Sequence, residues 1–152
     1  MANEVERMSE IKVSIVMPVY NVQSYLDECL DTLQNQTLKE IEIICVDDGS
    51  TDLSPEILKK HQKADSRIKI ITQHNSGAAV ARNKGFEQVQ GEYVLFLDSD
   101  DFYKDNMLEV AYKKACASKA DITVFRTDEY DAQKKNLQSD GLHCKEGAAS
   151  EC

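Results

Sequence analysis

Glu92–Tyr103 reads EYVLFLDSDDFY, an apolar run followed by an acidic cluster. The five apolar residues 93–97 are typical of a strand that is buried on both faces, as in a parallel sheet. Three carboxylates follow within four positions. Because side chains alternate along an extended segment, Asp98 and Asp100 are expected on one side of the chain and Ser99 on the other.

Two carboxylates on the same side of a strand end repel each other unless a cation neutralises them. A hard cation such as Mg²⁺ or Mn²⁺, with phosphate oxygens as further ligands, meets this requirement. Aspartates are also common in turns, where they bond nearby backbone amides. The clustering of acids favours a metal–phosphate site at Asp98 and Asp100 over a plain turn.

The composition argues against several classes of function. The 152 residues suit one domain with a core, and the formal net charge is −9. An acidic chain without a cluster of Lys and Arg is a poor match for nucleic acid. No apolar run reaches the ~20 residues that span a bilayer, and the first ten residues lack the apolar centre of a signal peptide. The sequence therefore predicts a cytoplasmic protein without a transmembrane segment.

Strand-like and helix-like patterns alternate along residues 12–130, which form the predicted domain. This alternation predicts an α/β fold with a doubly wound, mostly parallel sheet of the Rossmann-like type. A polar leader is expected at 1–11 and a poorly ordered polar tail at 131–152. The predicted strands are 13–17 (ended by Pro18), 41–46, 67–72, 93–97 and 122–125. The predicted helices cover about 22–35, 54–64 (capped by Ser54), 75–90 and 106–118 (capped by Asp105).

Right-handed crossovers place the carboxyl ends of parallel strands on one edge of the sheet. The segments that follow the first four predicted strands then line one crevice, which is where ligands bind in such sheets. These segments are 18–21, 47–52, 73–77 and 98–101. Residues that are distant in sequence are therefore expected to form one site.

The polar residues along this crevice admit two interpretations each. Asp47 and Asp48 are typical of a turn, or they could accept a hydrogen bond from a uracil imide or a ribose hydroxyl. Asn75 and Gly77, at a helix start, could hold an anion through free amides or could simply cap the helix. Arg82 could reach a phosphate or pair with a crevice aspartate.

Four segments together resemble the successive motifs of family-2 glycosyltransferases. They are Val13–Asn21 (VSIVMPVYN), Ile44–Asp52 (ICVDDGSTD), Asn75–Gly85 (NSGAAVARNKG) and Gly91–Asp101 (GEYVLFLDSDD). The resemblance covers about residues 12–130. It implies a GT-A fold, a nucleotide-diphosphate sugar donor that is often UDP-linked, a divalent cation (Mg²⁺ or Mn²⁺) and inversion at the anomeric carbon.

The resemblance also implies roles for individual residues. Asp98 and Asp100 match the metal-binding DxD pair of the family, with Asp100 as the direct ligand and Asp98 at a ribose or a metal-bound water. Asp48 would contact the base, and Asp47 would support that loop or contact the ribose. The nucleotide-binding residues implied in this way are Pro18, Val19, Tyr20, Asp47, Asp48, Asn75, Gly77, Arg82, Asp98 and Ser99.

The general base of the family lies in an acceptor half beyond the DxD strand, and this chain is expected to lack that half. No acid after the predicted fifth strand lies in a recognisable motif. Two functions therefore stay open. The chain is a metal-dependent transferase for a glycan, lipid or protein acceptor, active in cell-surface polysaccharide synthesis at the inner membrane face. Alternatively, it is a truncated or non-catalytic module that binds a nucleotide sugar without turnover.

Two other folds also place acids after strands. A response-regulator receiver pairs two acids with a later aspartate, but it needs a lysine after a further strand, and it leaves the strand at 13–17 unexplained. A haloacid-dehalogenase-type phosphatase carries its D-x-D near the start of the domain. No further strand with such a lysine is visible, which argues against the receiver, and the position of Asp98 late in the chain argues against the phosphatase.

Overall fold

The computed structural model describes residues 11–125, 130–131 and 136–137. Four parallel strands form one sheet in the order β3-β2-β1-β4, and helices connect them. The strands are β1 (Val13–Val19), β2 (Ile41–Asp47), β3 (Ile68–Thr72) and β4 (Tyr93–Phe96). The helices are α1 (Gln23–Gln34), α2 (Ser54–Ala64), α3 (Ala78–Phe86) and α4 (Met107–Ser118). A second, antiparallel pair joins β5 (Tyr130–Asp131) to β6 (Asn136–Leu137).

The predicted doubly wound parallel sheet is confirmed. β1 is central, with Val13 paired to Ile41 of β2 on one side and to Tyr93 of β4 on the other. In a receiver-type sheet the first strand lies between the second and the third. The observed order therefore excludes the receiver fold.

Helices cover both faces of the sheet. The larger core contains alternate residues of β1 and β2 with the apolar stripe of α1, which is Leu26, Cys29, Leu30 and Leu33. The smaller core on the opposite face packs α3 onto Val16, Ile44 and Val46. β1 and β2 are buried along almost their entire length for this reason.

α3 lies unusually close to the sheet. A Cβ atom on Gly85 would lie 2.5 Å from Cγ1 of Val16 and 3.0 Å from Cγ2 of Val46. Ala81, one turn earlier, is fully buried on the same face. Small residues at these two positions allow the close approach, which carries the start of α3 to the carboxyl edge of the sheet.

β1 is longer than predicted, because Pro18 does not end it. The N–H of Leu97 donates to the carbonyl of Val16 (3.1 Å), and the N–H of Asp48 donates to that of Val19 (2.8 Å). The backbone N–H and C=O groups of successive residues point to alternate sides of a strand. The backbone nitrogen of Pro18 therefore lies on the same side of β1 as the carbonyl of Val16, toward β4. That side lies beyond the last residue of β4, so the missing N–H of Pro18 forfeits no bond of the sheet.

Two predictions about strands are wrong. β4 is not buried on both faces, since it lies at an edge of the sheet and Phe96 is 46% exposed. Residues 122–125 form no strand, and Ile122 and Val124 are 80% and 87% exposed. Strand propensity depends on neighbouring strands and on packing, neither of which a local apolar pattern reveals.

Both predicted helix caps are also wrong. Ser54 is the first residue of α2, and its hydroxyl accepts the N–H of Val22 instead of capping its own helix. Asn106, rather than Asp105, precedes α4, and its side chain makes no capping bond. Within the predicted tail 131–152, only residues 131 and 136–137 are described, and the predicted leader is described only at residue 11.

None of the helices in the described part of the chain combines the length and the apolar character that a membrane span requires.

Candidate functional site

The carboxyl edge of the sheet brings together the loops after all four strands. β1 continues into Tyr20 and Asn21, and β2 into the turn at 48–52. The 73–77 loop leads into α3, and the acidic segment 98–101 follows β4. Because β1 pairs with both β2 and β4, the acidic segment joins the same edge as the two earlier loops, as the sequence predicts.

Asp48 anchors the start of α3. Its Oδ1 accepts hydrogen bonds from Nε2 of Gln73 (2.7 Å) and from the N–H of Ser76 (2.8 Å), and its Oδ2 accepts from the N–H of Gly77 (2.8 Å). Although burial alone would raise the pKa of Asp48, these three bonds hold it below its ordinary value. The anion held by the amides of this loop is therefore the carboxylate of Asp48.

Asp47 shapes the turn that follows β2. It is buried, and its Oδ1 accepts the N–H of Ser50 at 3.0 Å. Gly49 lies between them with φ +76°, and a Cβ atom there would lie 2.9 Å from the backbone nitrogen of Asn75. Of the two interpretations of Asp47, the structure shows the hydrogen bond to the local backbone. At position 49 only glycine fits the turn.

Arg82 pairs with Asp98, with 2.7 Å between Nη2 and Oδ1. This is one of the two alternatives that the sequence left open for Arg82. The carbonyl of Asp98 also accepts the hydroxyl of Tyr103 at 2.9 Å, which ties the backbone of the acidic segment to the chain beyond it. Burial raises the pKa of Tyr103, so its hydroxyl remains a donor.

Exposure alternates along residues 98–100 of the acidic segment. Asp98 and Asp100 are exposed, while Ser99 is 5% exposed. Burial, followed by the negative charges of Asp100 and Asp98, raises the pKa of the neighbouring Asp101. Two exposed carboxylates have the hard oxygen donors that Mg²⁺ and Mn²⁺ prefer.

A complete protein cage for a metal is absent from the described residues, where no three His, Cys, Asp or Glu side chains are grouped to hold one. A cation at Asp98 and Asp100 therefore needs further ligands from a bound molecule. Phosphate oxygens fit this requirement, because Mg²⁺ is commonly held by one or two carboxylates together with substrate phosphates.

Three predicted nucleotide-binding residues are placed differently from the expectation. Pro18 and Val19 belong to β1 rather than to a loop, and Val19 is fully buried in the core. Ser99 is also buried. Val19 therefore exposes no side-chain surface in this conformation, and Ser99 is only 5% exposed. Tyr20 does lie on the loop, and it is 47% exposed.

Two residues at this edge were not selected from the sequence. Gln73 bonds Asp48, and Tyr103 bonds the carbonyl of Asp98. Neither stands in an acidic cluster, which is the signal that singles out the aspartates. Gln73 does lie in the predicted crevice segment 73–77. Its place after the third predicted strand could therefore have identified it as a residue of the site.

Comparison with known proteins gives relatives over most of the chain. Glycosyltransferase GlyA of Streptococcus pneumoniae serotype 4 is 48% identical over 113 residues, which are 74% of this chain and 16% of GlyA. Glycosyltransferase GlyG of the same organism is 42% identical over 131 residues, which are 86% of this chain and 43% of GlyG.

A solved structure has the same fold. S. aureus TarS (residues 1–349), determined in complex with UDP, superimposes with a TM-score of 0.69 at 34% identity. The match covers 73% of this chain and 34% of TarS, and TarS has also been solved with UDP-GlcNAc. The chain spans less than half of the length of each of these three proteins. The model of glycosyl transferase family 2 matches residues 14–146, and the chain belongs to this family.

Proposed function

We propose that the chain binds a nucleotide-diphosphate sugar, with UDP as the nucleotide, together with Mg²⁺ or Mn²⁺ at the carboxyl edge of the sheet. The observation that carries the proposal is the pairing of β1 with both β2 and β4, which unites the loops of Tyr20 and Asp48 with the acidic segment. The likeness to TarS, which was solved with UDP, supports the choice of nucleotide.

The nucleoside would lie between the loops after β1 and β2. Tyr20 offers an exposed aromatic ring there. Oδ2 of Asp48 accepts one hydrogen bond, from Gly77, and a carboxylate oxygen has lone pairs for two. The remaining lone pair is suited to the imide N–H of a uracil ring, whereas Asp47 acts by keeping the turn closed.

Asp98 and Asp100 would hold the cation, which when bound stabilises the negative charge of the departing diphosphate. In the free protein Asp98 is paired with Arg82. A cation at Asp98 competes for that carboxylate, so the guanidinium of Arg82 becomes available to a phosphate oxygen, for which its planar fork is well suited.

Transfer of the sugar with inversion, to a glycan, lipid or protein acceptor, extends this proposal on the basis of family membership. The setting we propose is cell-surface polysaccharide synthesis at the cytoplasmic face of a membrane. The alternative is a module that binds the donor without turnover.

Calorimetry with UDP and Mn²⁺ tests the proposal. UDP affinity is expected to fall when EDTA removes the cation, and Asp100→Asn is expected to abolish this dependence without unfolding the protein. Asp121→Asn, which removes an exposed acid after α4, is the matched control and should change neither. Equal affinity with and without EDTA would contradict the metal site, and no UDP binding at all would contradict the nucleotide site. Transfer of labelled sugar from UDP-sugar to an acceptor hydroxyl, with UDP as the leaving group, distinguishes a transferase from a binding module.

A further inference from the structure

The N-termini of α1 and α2 share one capping carboxylate. The N–H of Gln23, the first residue of α1, donates to Oδ2 of Asp52 at 3.0 Å. The N–H of Ser54, the first residue of α2, donates to Oδ1 of the same side chain at 2.9 Å. Neither helix is capped by the side chain of its own N-cap residue. One aspartate thus satisfies the first amide of two helices, both of whose dipoles favour its negative charge.

The side chains at the two helix starts complete the arrangement reciprocally. Oε1 of Gln23 accepts the N–H of Leu53, at the N-cap of α2, at 2.9 Å. The hydroxyl of Ser54 accepts the N–H of Val22, at the N-cap of α1, at 3.1 Å. We refer to these four hydrogen bonds, which involve Val22, Gln23, Asp52, Leu53 and Ser54, as the helix clasp.

The helix clasp continues toward the proposed nucleoside site through Asn21. This residue has φ 50°, a left-handed conformation that asparagine tolerates better than most residues. Its N–H donates to the hydroxyl of Ser50 at 3.1 Å, and its Oδ1 accepts the N–H of Thr51 at 2.8 Å. Tyr20 immediately precedes Asn21, so the loop that carries it is joined to the turn after Asp48.

We propose that Asp52 is a positioning residue for nucleotide binding, which fixes the loop of Tyr20 against the turn of Asp48 by capping α1 and α2 together. This inference rests on the proposed function, because those two loops form the proposed nucleoside site. A carboxylate suits the task, since it has two acceptor oxygens and no donor. The two helix amides bond different oxygens of Asp52, so Asn in the same orientation would place its NH₂ group against one of them and could cap one helix only.

The hydrogen bonds also keep Asp52 charged. Burial alone would raise its pKa, but the bonds from Ser54 and Gln23 hold the pKa of Asp52 below its ordinary value. The carboxylate is therefore ionised at neutral pH, and both helix dipoles interact with a full negative charge.

UDP affinity in the presence of Mn²⁺ is the first measurement. Asp52→Ala is expected to weaken binding by about 5- to 30-fold, because the nucleotide must then order both loops itself. Asp52→Asn should fall between Ala and the wild type. The control is Asp65→Ala, which removes a carboxylate at the other end of α2 that accepts the N–H of Arg67. It should lower the Tm and leave UDP affinity unchanged.

Hydrogen exchange provides a readout that needs no nucleotide. In Asp52→Ala the amides of Gln23 and Ser54, at the starts of two different helices, should both exchange faster, whereas in Asp65→Ala they should not. Unchanged exchange at Gln23, or a loss of UDP affinity no greater than that of Asp65→Ala, overturns the proposal. A wild-type protein that binds no UDP overturns the proposed function and with it this role, while exchange still decides whether Asp52 couples the two loops.

Discussion

Arg82 and Asp98 form an ion pair between α3 and the end of β4, with 2.7 Å between Nη2 and Oδ1. Their side chains are 36% and 59% exposed, so the pair itself contributes only about 0.2–1 kcal/mol to stability. Its importance lies in its position, because the same carboxylate is a proposed ligand of the cation.

Removal of the Arg82 charge should therefore have opposite effects on the affinity for Mn²⁺ and on the affinity for UDP. In Arg82→Gln, Mn²⁺ should bind about 1.5- to 5-fold more tightly in the absence of nucleotide, because no guanidinium competes for Asp98. UDP should bind more weakly in the presence of Mn²⁺, because a phosphate partner is lost. Calorimetry measures both, and Lys84→Gln on the same helix is the control. Weaker Mn²⁺ binding in Arg82→Gln would contradict the competition.

Replacement of Asp48 by Asn should destabilise the fold. The carboxylate is 3% exposed and accepts from Gln73, Ser76 and Gly77. An amide NH₂ group would face at least one of these donors, which we expect to cost about 1–3 kcal/mol of unfolding free energy. Urea denaturation measures the loss. Asp47→Asn, in a residue with one backbone partner, should cost less, and an equal loss in the two variants would contradict this account.

Glu42 should make stability depend on pH. This residue is 2% exposed, pairs with Nζ of Lys69 at 2.7 Å, and accepts the N–H of Gln90 at 2.7 Å and the hydroxyl of Ser14. Burial alone would raise its pKa, but these partners hold the pKa of Glu42 below its ordinary value. The folded pKa thus lies below the unfolded one, so the stabilisation is present above about pH 4.3 and is lost as the pH falls through the folded pKa.

The matching variant is Glu42→Gln. It should be less stable than the wild type at pH 7, and it should lose less stability than the wild type between pH 7 and pH 3. Urea midpoints at these two pH values measure both effects. Parallel declines of the wild type and of Glu42→Gln would show that Glu42 does not contribute to the acid response.

Gly85→Ala should destabilise the packing of α3. The added methyl group would lie 2.5 Å from Cγ1 of Val16, which requires α3 or β1 to move. Overpacking of this kind typically costs about 1–3 kcal/mol. In the double variant with Val16→Ala the two losses should be less than additive, because the smaller side chain makes room. Strict additivity in urea denaturation would contradict a direct clash.

Periodicity in the sequence predicts most of the fold. The spacing of Leu26, Cys29, Leu30 and Leu33 identifies the face of α1 that is buried, and apolar runs identify β1, β2 and β3. The apolar run at 122–125 misleads, because a local pattern does not show whether a neighbouring strand exists. The same reason explains why β4, at an edge, is more exposed than its composition indicates.

The acidic clusters in the sequence identify loops that meet in the fold. They do not indicate which groups the acidic side chains hydrogen-bond. Asp48 binds the amides of Ser76 and Gly77, and Asp52 binds those of Gln23 and Ser54. Every residue except proline carries a backbone N–H, so the partners of such bonds leave no mark in composition or spacing. Only the distance between loops in the folded chain decides them.

We expect the two sides of β1 to acquire their partners at different stages of folding. Val13 pairs with Ile41, which is near in sequence, and with Tyr93, which is much farther along the chain. Closing the longer loop costs more conformational entropy, so we expect β4 to join after β1 and β2 have paired. A newly synthesised chain would then complete its nucleoside pocket first and its cation-binding segment last. Binding of the metal would therefore indicate that folding is complete.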